Sequence, residues 1–80
     1  MTRDELLIYL KEKLGVDTSL VDDDTLLFSS NLLDSFSMVD LIMFIEKQAD
    51  VRLNPTDVSL DNLDSIGRIL AFVAARRAES

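Results

Sequence analysis

Between Ser35 and Ala49 the apolar side chains fall on two helical stripes at once. Met38, Leu41, Ile42, Ile45 and Ala49 recur at the spacing of one helix face, and Phe36, Val39 and Met43 recur at i, i+3 and i+7 on another. The two stripes cannot both face one core. A helix apolar on two sides is either buried all round or offers one side to a partner. Asp40 and Lys47 interrupt the second stripe at its edge, which favours the partner. Phe44 lies between the stripes, and the spacing assigns it to neither.

The rest of the chain is consistent with an all-helical fold. Two glycines and one proline in 80 residues are too few for a multi-stranded sheet with tight turns. A chain of this length makes one domain, spanning 1–80, and its 48% apolar content fills one small core rather than the walls of a deep cleft. Thr2 and Glu5 read as a capping box before Leu6, Leu7, Leu10 and Leu14, so the first helix is expected from Arg3 to Leu14, stopped by Gly15. Residues 16–33 form a long connection without a clean period, pinned to the core by Phe28 and its neighbours. A second helix follows from Ser35 to Ala49. Val51-Arg52-Leu53 reads as an extended link, Asn54-Pro55 as a helix start, and Ser59 to Leu63 as a further short turn. The last helix is expected from Ser65 to near Arg77, with Arg76 and Arg77 at the negative end of its dipole.

Charge narrows the function classes. The net charge is −7, and between Gly15 and Asp64 eleven acids face only Lys47 and Arg52. An acidic middle repels nucleic acid and attracts proteins with basic faces. The Asp22-Asp23-Asp24 run lacks the alternating oxygens and the glycine of a calcium loop, so a solvated loop is expected and no metal site. Without Cys or His the chain has no thiol nucleophile, no zinc-thiolate site and no imidazole base. An enzyme is therefore not expected. No leader and no membrane-length apolar run is read, which implies a cytoplasmic chain.

One serine stands out against this background. In Leu32-Leu33-Asp34-Ser35-Phe36-Ser37 a hydroxyl sits where a loop becomes a helix. Unpaired N–H groups and a partial positive charge at a helix start suit a phosphate on that hydroxyl. The bland alternative is a serine serving as helix cap. Leu63-Asp64-Ser65-Ile66-Gly67 echoes the motif and is read as a cap without chemistry, because the helix behind it carries a single stripe.

Taken over nearly the whole chain, these features resemble the acyl carrier protein superfamily, with its peptidyl and aminoacyl carriers. The resemblance rests on a leading helix, a long acidic loop, Asp34-Ser35 at the second helix, a short third helix and the run from Asp57 to Ile66. It implies a four-helix bundle with a long first loop and a short third helix. It further implies that Ser35 carries 4′-phosphopantetheine, transferred from coenzyme A by a separate phosphopantetheinyl transferase. The arm would hold cargo as a thioester, loaded by an adenylating ligase or acyl transferase and delivered to a downstream acceptor enzyme. Carried over by position, Asp34, Phe36, Val39, Asp40 and Met43 would face those partners, with Glu46 as a further acidic contact.

Leu-Leu-Asp-Ser-Phe looks closer to stand-alone aminoacyl carriers, including the D-alanyl type, than to fatty acyl carriers. An aminoacyl or short acyl cargo is therefore expected, on a chain that is a monomer when free. A fatty-acyl or polyketide-type carrier is the alternative, and a helical adaptor that is never modified is the alternative of another class.

Overall fold

Four helices, and no strand, make up the described part of the chain. The computed structural model describes residues 1–79, with side chains described through residue 77. The helices are α1 (Arg3–Leu14), α2 (Ser35–Ala49), α3 (Leu60–Leu63) and α4 (Ile66–Glu79), with single 3-10 turns at Thr18–Leu20 and Pro55–Asp57. The bundle with a long first loop and a short third helix is thus present as expected. The last helix begins one residue later than expected, because Ser65 is its cap, and it runs to Glu79.

Each helix starts and stops for a local reason. The Thr2 hydroxyl accepts the Glu5 amide at 3.2 Å and opens α1. Gly15 closes it in the left-handed region at φ 71°, where a Cβ would be strained, and the Val16 amide returns to the Leu10 carbonyl at 3.0 Å. Asp50 ends α2 in the same left-handed region, at φ 53°. The turn after Asn54 is closed by the Asp57 amide on the Asn54 carbonyl at 2.9 Å and by the Asn54 amide on the Asp57 carboxylate at 2.9 Å. Arg76 pairs with Asp57 and ties the far end of α4 back to this turn.

The core lies where the first apolar stripe of α2 meets the other helices. Leu6 and Leu10 of α1, Leu41 and Ile45 of α2, Leu63 of α3, and Ile66 and Ile69 of α4 are fully buried. Each such side chain contributes about 1.5–3 kcal/mol by leaving water. α4 touches all three other helices and is the central element of the packing. Val16, Val21, Leu27 and Leu33 are also buried, so the long first loop is a packed part of the molecule. Leu27 is its deepest anchor, while Phe28 is only half-buried.

Phe44, which the spacing left unassigned, stacks on Tyr9 with ring centroids 4.0 Å apart and planes inclined by 17°. This pair joins α1 to α2 outside the aliphatic core. The contact explains why Phe44 belongs to neither stripe of α2.

Candidate functional site

Two Leu-Asp-Ser sequences begin helices in this chain, and their surroundings differ completely. At the start of α2 the cap is Asp34. Its carboxylate accepts the Ser37 amide at 2.8 Å, and its carbonyl accepts the Met38 amide at 3.1 Å. Hydrogen bonds from the Ser37 amide and hydroxyl hold the Asp34 carboxyl below the ordinary carboxylate range, against a small opposing effect of burial. Ser35 is therefore the first residue inside the helix and not its cap. It is exposed, at the positive end of a fifteen-residue helix.

At the start of α4 the same letters do other work. The Ser65 hydroxyl accepts the Arg68 amide at 3.1 Å, and the residue is only 4% exposed. The Gly67 amide donates to the Asp23 carbonyl at 3.0 Å, and the Ile69 amide donates to the Ser65 carbonyl at 3.0 Å. A Cβ on Gly67 would lie 3.1 Å from that Asp23 oxygen, so the acidic loop runs directly over this helix end. The loop is fixed there on its other side too, where Asp23 pairs with Arg3. With its hydroxyl engaged and main chain over the adjacent amide, Ser65 is a buried cap, as the sequence indicated.

The two stripes of α2 separate in the fold. Leu41, Ile45 and Ala49 are buried, with Met38 and Ile42 half-buried beside them. Phe36 is 83% exposed, Val39 55% and Met43 62%. Asp34 and Asp40 are exposed along the same helix. Six residues singled out in the sequence (Asp34, Ser35, Phe36, Val39, Asp40 and Met43) thus lie on the solvent-facing side of one helix. Glu46 differs. It is half-buried, and its carboxylate accepts the Leu53 amide at 3.1 Å, so it also anchors the link that follows α2.

Asp64, which in the sequence is only half of an echo motif, carries the most engaged carboxylate in the described structure. It is 2% exposed. One oxygen accepts the Phe28 amide at 2.8 Å and the Ser29 amide at 3.0 Å, and the other accepts the Ser29 hydroxyl at 2.5 Å. Burial alone would raise its pKa. The Ser29 and Phe28 hydrogen bonds and the Arg68 guanidinium at 3.9 Å outweigh burial and hold it below the ordinary carboxylate range. The capping signal itself is Asp34, an acid directly before the helix, whose carboxylate takes the amide three residues on.

A phosphodiester on Ser35 fits this surface. The hydroxyl is exposed, the capping role is filled by its neighbour, and the first-turn amides and the helix dipole favour a negative group. Among the described residues no helix is long and apolar enough to cross a membrane.

Comparison with known proteins agrees with this geometry. The family model for the phosphopantetheine attachment site matches residues 4–73. An acyl carrier protein from Thermotoga maritima is 33% identical over 64 residues, which cover 80% of this chain and 76% of that protein. An acyl carrier protein from Chlamydia felis is 25% identical over 76 residues, covering 95% of each chain.

Proposed function

The chain belongs to the acyl carrier protein superfamily, a carrier role built on covalent 4′-phosphopantetheine, and we propose that Ser35 is the residue that bears the arm. The observation that carries this reading is the division of labour at the start of α2: Asp34 caps the helix and Ser35 is exposed beside it. When attached, the arm supplies a terminal thiol that holds cargo as a thioester. The chain itself has no Cys, so the thiol comes from the arm, and it has no His to serve as an imidazole base beside the serine.

The remaining residues serve docking. Phe36, Val39 and Met43 offer an apolar strip beside the serine, and Asp34 and Asp40 give it a negative rim. A transferase, a loading enzyme and an acceptor enzyme engage this strip in turn, with Glu46 at its far end. Opposite charge on those enzymes speeds encounter, and the apolar side chains supply the contact. The arm then passes cargo between enzymes at high effective concentration without releasing it.

The cargo is an aminoacyl or short acyl group. This reading is supported by Phe36 directly after the serine and by Asp40 and Glu46 being the only acids within α2. The second reading, a fatty-acyl or polyketide-type carrier, is supported over an aminoacyl cargo by the relatives being acyl carrier proteins.

Incubation with coenzyme A and a broad-specificity transferase, followed by intact-mass measurement, tests the assignment. The wild-type chain gains one arm, Ser35→Ala gains none, and Ser65→Ala behaves as wild type. An unmodified helical adaptor gains no mass in any form. Supplying adenylating ligases or acyl transferases to the loaded chain then separates the two cargo classes.

A further inference from the structure

We propose that Asp64 is a positioning residue for Ser35, because its buried carboxylate sets the backbone of residues 27–33, the segment that leads into α2. The inference rests on Ser35 being the attachment residue.

Four hydrogen bonds from three consecutive residues converge on Asp64. Besides the Phe28 and Ser29 amides and the Ser29 hydroxyl on its carboxylate, the Leu27 amide donates to its carbonyl at 2.6 Å. The chain then turns back on itself. The Asn31 amide donates to the Phe28 carbonyl at 3.0 Å, Asn31 takes φ 66°, and the Leu33 amide donates to the Leu27 carbonyl at 2.9 Å. Leu27 and Leu33, at the two ends of this turn, are both buried. The next residue is Asp34, the cap that leaves Ser35 exposed. One carboxylate at the α3–α4 junction therefore holds the path by which the chain reaches the serine.

A buried carboxylate is costly unless its acceptor positions are filled, and here three donors fill them. Removing the carboxylate would take from two amides and a hydroxyl the one protein acceptor they share. They recover partners by letting the segment lift into water. The helices have their own anchors, Leu41 and Ile45 in α2 and Ile66 and Ile69 in α4, and are not held by this contact. Loss of Asp64 thus loosens the approach to Ser35 while α2 stays formed. A transferase then finds the serine correctly presented in only a fraction of molecules. Its apparent affinity falls by that fraction, and turnover at saturation is unchanged.

The test uses the full chain, a transferase and coenzyme A, with kcat and KM for modification measured beside amide hydrogen exchange. Asp64→Ala should raise the KM for the carrier by roughly fivefold or more at nearly unchanged kcat, with faster exchange at Phe28, Ser29 and Leu33. Asp64→Asn keeps an acceptor for the two amides and a donor for the Ser29 hydroxyl, and should restore KM to within about twofold. A wild-type KM in Asp64→Ala, despite faster exchange at those amides, overturns the proposal. So does an Asp64→Asn variant as impaired as Asp64→Ala. If circular dichroism shows Asp64→Ala unfolded, Ser29→Ala replaces it: a KM raised by about threefold or more supports the proposal, and a KM within about twofold of wild type overturns it. Failure of the underlying reading is distinguishable, because the wild-type chain itself would then remain unmodified at Ser35.

Discussion

Asp34 accepts the amide of Ser37 at 2.8 Å, and this contact frees Ser35 from the capping role its position would otherwise give it. A phosphoserine-type linkage can then form without uncapping the helix. At Ser65 the hydroxyl is itself the cap, so modification there would break the start of α4.

Asp34→Ala should lower the melting temperature by a few degrees, since a helix cap is lost. Ser35→Ala should leave it within about a degree, since its hydroxyl is not the cap. Thermal denaturation followed by circular dichroism compares the two. Equal losses would mean that both side chains support the helix.

The exposed stripe should be separable from the core by mutation. Phe36→Ala and Met43→Ala should change stability by no more than about 0.5 kcal/mol while slowing loading by partner enzymes. Leu41→Ala, on the buried stripe, should cost about 2–5 kcal/mol. Denaturant titration and loading kinetics on the same samples read both effects. Partner association should also weaken as salt rises. Collapse of helicity in the Phe36 or Met43 variant would assign those residues to the core instead.

The Tyr9–Phe44 stack should behave as one unit. A double-mutant cycle with Tyr9→Ala and Phe44→Ala should give a coupling of about 0.5–1.5 kcal/mol. Additive losses would show that the rings merely cover surface. Loading should be unaffected in the folded variants, because neither ring belongs to the exposed stripe.

Acid should remove the contribution of Asp64. Its folded pKa lies below the ordinary value, so the folded state holds its proton less tightly than the unfolded chain does. The stabilisation is fully present above the unfolded pKa of about 3.9 and is lost as pH falls through the folded pKa. Lowered values at Asp17, Asp22 and Asp34 act with the same sign. Relief of repulsion within a chain of net charge −7 acts oppositely, so the informative quantity is a difference. The stability of wild type minus that of Asp64→Asn should be constant from pH 7 to about 5 and shrink below about 4. A difference independent of pH would mean that folding leaves the Asp64 carboxyl unperturbed, and one that falls as pH rises above about 4 would mean that it is protonated in the folded chain.

Local signals carried much of this structure and long-range ones did not. The leucine spacing and Gly15 gave α1 its bounds, and the Asp34-Ser35 junction marked both the start of α2 and the candidate site. The two stripes of α2 already separated core from surface. Phe44 could not be placed because its partner, Tyr9, lies on another helix. The weight on Asp64 was equally hidden, since Phe28 and Ser29 reach it only after the first loop has folded back. Leu63-Asp64-Ser65 and Leu33-Asp34-Ser35 read alike. The single stripe behind Ser65 already sets them apart, but the Asp23 carbonyl that covers the Gly67 amide is a contact no spacing near Ser65 reports.

The attachment of the arm is tested most directly by peptide mapping of the chain after incubation with an active transferase and coenzyme A. The account predicts a single modified position, Ser35, with Ser65 bare. A chain that gains the arm elsewhere, or stays unmodified while a control carrier in the same tube is converted, would contradict it.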